Sequence, residues 1–140
     1  MQPSSRIPLA RALAAGQGAY FLVTGLWPLV SLRTFYAVTG PKTDGWLVQT
    51  VGSMIACIGS TLLLGARRRM VEPEVRWLAT SSAAALMAVD VLFVGQRRIS
   101  RIYLADAVAE LGLIAAWAFA ARDAGALAGA QSETMSEKAS

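Results

Sequence analysis

Long apolar runs, separated by short polar connections, dominate the chain. There are four of them, covering residues 12–32, 46–66, 77–95 and 102–121. Each run has about the 20 residues that a helix needs to cross the hydrocarbon core of a bilayer. The pattern predicts an all-α protein, a four-helix transmembrane bundle that runs up, down, up and down through short loops.

The same pattern defines the domain organisation. We expect residues 1–123 to form a single membrane domain, and residues 124–140, which are small and polar, to form a disordered tail. Between the first two runs, turn signals at Gly40-Pro41 and Asp44-Gly45 predict an irregular loop over residues 33–45.

Two other interpretations of the runs fit less well. Each helix of a water-soluble bundle needs a polar face, and the first two runs have almost none. A cleaved signal peptide has an apolar region of about 7–15 residues followed by small residues, whereas the first run is longer and no such site follows it. We therefore expect this run to remain as a span, bent at Pro28.

Composition agrees with a lipid solvent. Only 16% of the residues are charged and the mean hydropathy is +0.48, whereas soluble proteins carry about 25% charged residues. The sequence pI is about 9.8, but the basic residues lie in the gaps between runs, so no nucleic-acid partner is expected. The chain has no histidine and one cysteine, Cys57, which excludes histidine-dependent catalysis and an intramolecular disulfide.

The distribution of lysine and arginine predicts an orientation in the cell (inner or plasma) membrane. With the N-terminus inside, eight basic residues lie on the cytoplasmic side and five on the other. Since basic residues accumulate in cytoplasmic loops, we expect both termini to be cytoplasmic. Aromatic side chains are expected at the two interfaces, at Tyr36, Trp46 and Tyr103 outside and at Trp77 and Trp117 inside.

Three carboxylic acids interrupt the last two runs and are the candidate functional residues. Asp90 lies eight residues before Arg98, near the middle of the predicted hairpin, and Asp106 lies eight residues after it, so both should have a similar depth. Glu110 follows Asp106 by four residues on the same helix face, about 12 Å of helix from Ile102. A charged group at that depth is costly, which makes Glu110 a candidate carrier of a proton.

Other polar residues are expected on the same side of the membrane. Together with the acids, Gln49, Arg33, Arg97 and Arg101 predict a polar vestibule that opens outward, with Glu110 at its floor. A purely structural alternative is equally open: the long arginine side chains could neutralise Asp90 and Asp106. For Gln49, a hydrogen bond between helices is favoured over contact with a ligand.

Small residues recur every three or four positions on two of the runs. Such stripes allow close approach of helix backbones in lipid. The second run carries Gly52, Ala56 and Ser60, and the fourth carries a longer stripe that includes Gly112 and Ala116. Both stripes are predicted helix-packing faces.

Two stretches carry a resemblance to known proteins. FYAVTGPKTDGWLVQTVG at residues 35–52 and IYLADAVAE at residues 102–110 resemble small four-span bacterial integral membrane proteins of an uncharacterised family. The resemblance covers most of the chain. It implies the four-span topology and carries no established activity or catalytic residue.

Three functions remain open on the sequence alone. The first is a binding or transport protein whose acids take up a proton, a cation or a small amphiphile. The second is a structural or accessory subunit whose small-residue faces dock against a second copy or another membrane protein. The third and weakest is an enzyme acting on a lipid or quinone, since Asp106 and Glu110 lack a nucleophile, a metal motif and a phosphate-binding loop. No cofactor and no metal are expected, and the bilayer itself is the one certain partner.

Overall fold

A computed structural model describes the backbone of residues 7–139 and the side chains of residues 9–122. Within this range the protein is all-helical, with five helices: α1 (Ile7–Val30), α2 (Leu32–Thr39), α3 (Gly45–Ala66), α4 (Pro73–Gly95) and α5 (Tyr103–Ala139). All except α2 contain a stretch long and apolar enough to cross a membrane: Leu9–Val30, Gly45–Ala66, Pro73–Gly95 and Tyr103–Arg122. The predicted all-α four-span fold is confirmed, and the chain is a multi-pass membrane protein.

The connection between the first two spans differs from the predicted loop, because its first half is the helix α2. Ser31 interrupts α1 with an extended backbone, and its hydroxyl accepts a hydrogen bond from the Thr34 N–H at 3.3 Å. Such a cap satisfies one of the free N–H groups at the start of a helix. The helix ends at Gly40, whose φ of 88° favours glycine. The turn signal at Gly40 is therefore real, but the residues before it are helical.

The first and second spans pack glycine against glycine. A Cβ atom built on Gly25 of α1 would lie 2.5 Å from the carbonyl oxygen of Gly52 on α3, and one on Gly59 would lie 2.7 Å from the carbonyl oxygen of Gly18. No side chain fits at such distances, so the backbones themselves are in contact. The predicted packing face at Gly52 and Ala56, both buried, therefore has its partner within the same chain.

The other three residues of the predicted packing faces are placed differently. The Ser60 hydroxyl donates to the carbonyl of Ala56 on its own helix at 2.8 Å. Gly112 is exposed and a Cβ there would meet nothing within 4 Å, while Ala116 is half-buried. The face of α5 that packs inside the bundle instead carries Glu110 and Trp117. The rotation of α5 about its own axis follows from the burial of these two side chains. The spacing of the small residues does not predict that rotation.

A buried glutamine links three of the spans. Gln17 of α1 is fully buried, and its amide nitrogen donates to the carbonyl of Ala79 on α4 at 2.8 Å. Its amide oxygen accepts the indole N–H of Trp117 on α5, also at 2.8 Å. Trp117 is only 3% exposed, so its ring packs inside the bundle instead of facing the lipid. Its N–H finds a partner inside the bundle.

The end of the chain also differs from the sequence-based expectation. Residues 124–140 are predicted to be a disordered tail, whereas the backbone through Ala139 continues α5. Five of residues 124–139 are alanine and two are glutamate, and both residue types have high helix propensity. Ser140 lies outside the described residues.

Candidate functional site

A cavity of about 310 Å³ lies between the helix pair α1/α3 and the helix pair α4/α5. Every span contributes to its lining, and so do α2 and the two connections on the same side of the bundle. Most of its wall is aliphatic or aromatic, formed by Phe21, Pro28, Phe35, Leu47, Val51, Ile55, Leu86 and Val89. An apolar cavity with a few polar groups is the usual form of a small-molecule site.

The three acids predicted from the sequence meet in this cavity. Asp90 of α4 and Asp106 and Glu110 of α5 all contribute to its lining. The α4–α5 hairpin reverses direction between Gly95 and Tyr103, so positions at equal distances from the turn face each other. The structure therefore brings the three carboxyl-bearing residues into the lining of one cavity.

Glu110 is the most enclosed of the three. Its side chain is 0% exposed, and neither carboxyl oxygen has a hydrogen-bond partner among the described residues. Asp90 is 6% exposed, and its Oδ2 is likewise without a partner in the described part of the chain. An isolated carboxylate in an apolar interior is very unfavourable. These groups are therefore suited to hold a proton or to meet a cation.

Asp106 has a partner that the sequence analysis missed. The hydroxyl of Tyr20 on α1 donates a hydrogen bond to its Oδ1. A signal for Tyr20 does exist in the sequence: Gln17, Tyr20 and Thr24 recur at helical spacing and give the first span a narrow polar stripe. Tyr20 and Thr24 both line the cavity, so this stripe turns toward the acids.

The other residues of the predicted vestibule lie around the cavity instead of in it. Arg33, on α2, is exposed, and so are Arg97 and Arg101 in the α4–α5 connection. Gln49 is half-buried on α3, where its backbone carbonyl accepts a hydrogen bond from the Ser53 hydroxyl at 2.8 Å. None of the four is among the described residues that line the cavity.

The basic residue at the cavity is Lys42, which the sequence analysis did not select as a site residue. It lies in the connection between α2 and α3, and its Nζ is 5.0 Å from the centre of the Tyr103 ring. Both residues line the cavity. A cation over an aromatic ring is an attractive arrangement, and here it places one positive charge at the end of the cavity nearest the membrane surface.

The polar side-chain chemistry in the cavity lining consists of three carboxyl groups, two phenols, a threonine hydroxyl and the Lys42 ammonium. Within residues 9–122, no group of three or more acids and cysteines is arranged to hold a metal ion. Cys57 is exposed on α3 and does not line the cavity. The geometry favours binding of a proton or of a positively charged ligand over nucleophilic catalysis.

Comparison of the chain with protein families, with curated proteins and with solved structures gives no match.

Proposed function

We propose that this protein binds a small ligand inside the membrane, in the cavity between its two helix pairs, with the acids as the polar end of the site. The ligand is a proton, a cation or a small amphiphile, and binding serves either sensing or transport. The observation that carries the proposal is the complete burial of Glu110 at this cavity with both carboxyl oxygens unpartnered among the described residues.

The charge of the buried Glu110 carboxyl group determines what can stabilise it. A buried carboxylate is stabilised only by a proton or a close positive charge with good geometry. The arginines of the α4–α5 connection are exposed, and Lys42 stacks on Tyr103. A ligand that supplies a positive charge inside the cavity would therefore gain a strong interaction.

The test is thermal unfolding of the detergent-purified chain with four benzyl-type probes: benzyltrimethylammonium, phenylacetate, benzyl alcohol and neopentylbenzene. A ligand that binds only the folded state, and is present at a concentration one hundred times its Kd, stabilises that state by about 2.7 kcal/mol. We expect at least one probe to raise the Tm of the wild type. Leu86→Trp fills the cavity and should abolish the shift.

The matched control is Leu64→Trp, because Leu64 is 62% exposed on α3 and does not line the cavity. This variant should respond like the wild type. If no probe stabilises the wild type, or if Leu86→Trp responds as strongly as Leu64→Trp, the cavity is not a site for an organic cation or a small amphiphile, and that proposal is wrong.

The second candidate function is that of an accessory subunit. It is supported by one face of α5, where Gly112 has open space around it and Val108 is 70% exposed. A second copy or another membrane protein could pack there through small residues. Under this proposal Gly112→Leu abolishes association in a membrane cross-linking assay, and Glu110→Gln leaves association intact.

We also propose the location and orientation. The bias of basic residues supports insertion in the cell (inner or plasma) membrane with both termini in the cytoplasm. In this orientation, the cavity end with Lys42 and Tyr103 lies near the outer surface.

A further inference from the structure

We infer that the ligand is a small lipophilic ammonium ion, and that it reaches the acids from the lipid, through the gap between α3 and α4. This inference rests on the proposed function and adds to it the chemical class of the ligand and its route.

The route is inferred from residues that line the cavity and are also well exposed. Leu47 and Val51 of α3 are 47% and 46% exposed, and Val89 of α4 is 48% exposed. They are the most exposed apolar residues of the lining, and all three belong to α3 or α4. The opening is therefore lateral, between α3 and α4.

The depth of the opening places it in the hydrocarbon region. Val51 lies six residues after Gly45, the first residue of α3, and Val89 lies six residues before Gly95, the last residue of α4. Six residues of helix correspond to about 9 Å. What faces this gap is lipid, and a molecule that passes through it has to be soluble in lipid.

The other end of the cavity is unfavourable for a hydrated cation. Lys42 and Tyr103 line the cavity at the membrane surface, and the lysine ammonium lies over the ring. A small inorganic or hydrophilic cation coming from water meets this positive charge first. A lipophilic cation that enters laterally from the lipid, between α3 and α4, does not pass the Lys42 charge.

The class of the ligand follows from the walls and from the acids. Asp90 and Glu110 have unpartnered carboxyl oxygens among the described residues, and the ring of Tyr20 belongs to the same cavity lining. Carboxylates and aromatic faces together recognise ammonium groups. The remaining wall is apolar, and about 310 Å³ is at the small end of the usual range for ligand sites. One aromatic ring or a short alkyl chain fits this space.

The experiment measures equilibrium binding of benzyltrimethylammonium to the full chain in lipid nanodiscs, with empty nanodiscs as the blank. Two probes separate charge from lipophilicity. Neopentylbenzene has the same shape without the charge, and tetramethylammonium has the charge without the aromatic body. We expect saturable binding of benzyltrimethylammonium, with at least about tenfold weaker binding of either comparison probe, a difference of roughly 1.4 kcal/mol.

Glu110→Gln should remove the preference for benzyltrimethylammonium over neopentylbenzene, because the amide keeps the shape of the side chain and cannot become a carboxylate. Equal binding of the charged and uncharged probes by the wild type would overturn the ligand class and leave the proposed function standing. Binding of phenylacetate or benzyl alcohol alone in the unfolding assay has the same meaning. Absence of binding by every probe overturns both the ligand class and the proposed site for an organic cation or a small amphiphile.

The route is tested by the exchange rate of bound benzyltrimethylammonium. Val51→Phe and Val89→Phe narrow the gap and should slow exchange at least about tenfold, which is the effect of roughly 1.4 kcal/mol on a barrier. Val51→Ala and Val89→Ala widen it and should speed exchange, even if the phenylalanine variants fill the cavity and lose binding. Val23→Phe, at a position 68% exposed on α1 and outside the lining, should change nothing. Faster exchange in Lys42→Gln, with no effect of the alanine variants, would place the route at the membrane surface and overturn the lateral one.

Discussion

The indole N–H of Trp117 donates a hydrogen bond to the amide oxygen of Gln17, one hundred positions earlier in the chain, at 2.8 Å. The amide nitrogen of Gln17 in turn donates to the carbonyl of Ala79. The first, third and fourth spans are thus joined by polar contacts in a fully buried place. Because acyl chains compete with neighbouring helices for apolar contacts, such hydrogen bonds contribute to the choice of helix partners.

Gln17→Leu should destabilise the bundle by about 1–3 kcal/mol, because it leaves the buried indole N–H of Trp117 without its acceptor. The measurement is the free energy of unfolding of the purified chain in mixed micelles. In a double-mutant cycle, Gln17→Leu combined with Trp117→Phe should cost less than the sum of the two single changes. Strictly additive effects would show that the hydrogen bond does not couple the two helices. Gln49→Leu, at a half-buried site on α3, is the control and should have a smaller effect.

Gly25→Ala and Gly52→Ala should each separate α1 from α3. The added methyl group of Gly25→Ala would lie 2.5 Å from the Gly52 carbonyl oxygen, and that of Gly52→Ala would lie 2.6 Å from the Gly25 carbonyl oxygen. Overpacking of this kind costs about 1–3 kcal/mol. Gly16→Ala is the matched control on α1, because nothing lies within 4 Å of its Cβ position. There the methyl group should be neutral or stabilising, given the higher helix propensity of alanine.

The measurement is the free energy of unfolding of Gly25→Ala, Gly52→Ala and Gly16→Ala, each compared with the wild type. Equal stability of Gly25→Ala and Gly16→Ala would contradict the close contact between the two backbones.

The sequence predicts the four spans from hydropathy, and it predicts the meeting of the three acids from the register of the α4–α5 hairpin. The four spans follow from run lengths, and the meeting of Asp90, Asp106 and Glu110 follows from equal distances to the hairpin turn. The faces of the helices were harder to predict, because in lipid an apolar side chain is equally at home against protein and against acyl chains. Hydropathy therefore did not show that Gly52 packs inside the bundle while Gly112 is exposed.

The helix α2 and the site residues from the first span were missed for other reasons. The turn signals at Gly40 and Asp44 are correct, but the eight residues before Gly40 form a helix of their own after the cap at Ser31. Tyr20 reaches Asp106 across a sequence separation of 86, which depends on how the helix pairs dock. No local pattern encodes that arrangement.

Arg11→Leu should loosen the contact between the start of α1 and the end of α3. The Arg11 Nε donates to the carbonyl of Ala66, the last residue of α3, at 3.0 Å. A cation at the C-terminus of a helix satisfies a free carbonyl and interacts favourably with the helix dipole. We expect a loss of about 1 kcal/mol in the free energy of unfolding. Arg33→Leu removes the same charge from an exposed position on α2, and an equal loss in both variants would mean that net charge, and not this contact, is responsible.

The proposed orientation predicts which connections a membrane-impermeant maleimide can reach. On a Cys57→Ala background, Thr43→Cys places a thiol at an exposed position between α2 and α3, and Met70→Cys places one at a 65% exposed position between α3 and α4. These connections lie on opposite sides of the bilayer, because α3 crosses it. With the N-terminus in the cytoplasm, intact cells should label Thr43→Cys at once and Met70→Cys only after permeabilisation. The reverse pattern would invert the orientation and place Lys42 and the surface end of the cavity in the cytoplasm, where the basic residues of the α4–α5 connection would face the anionic inner leaflet.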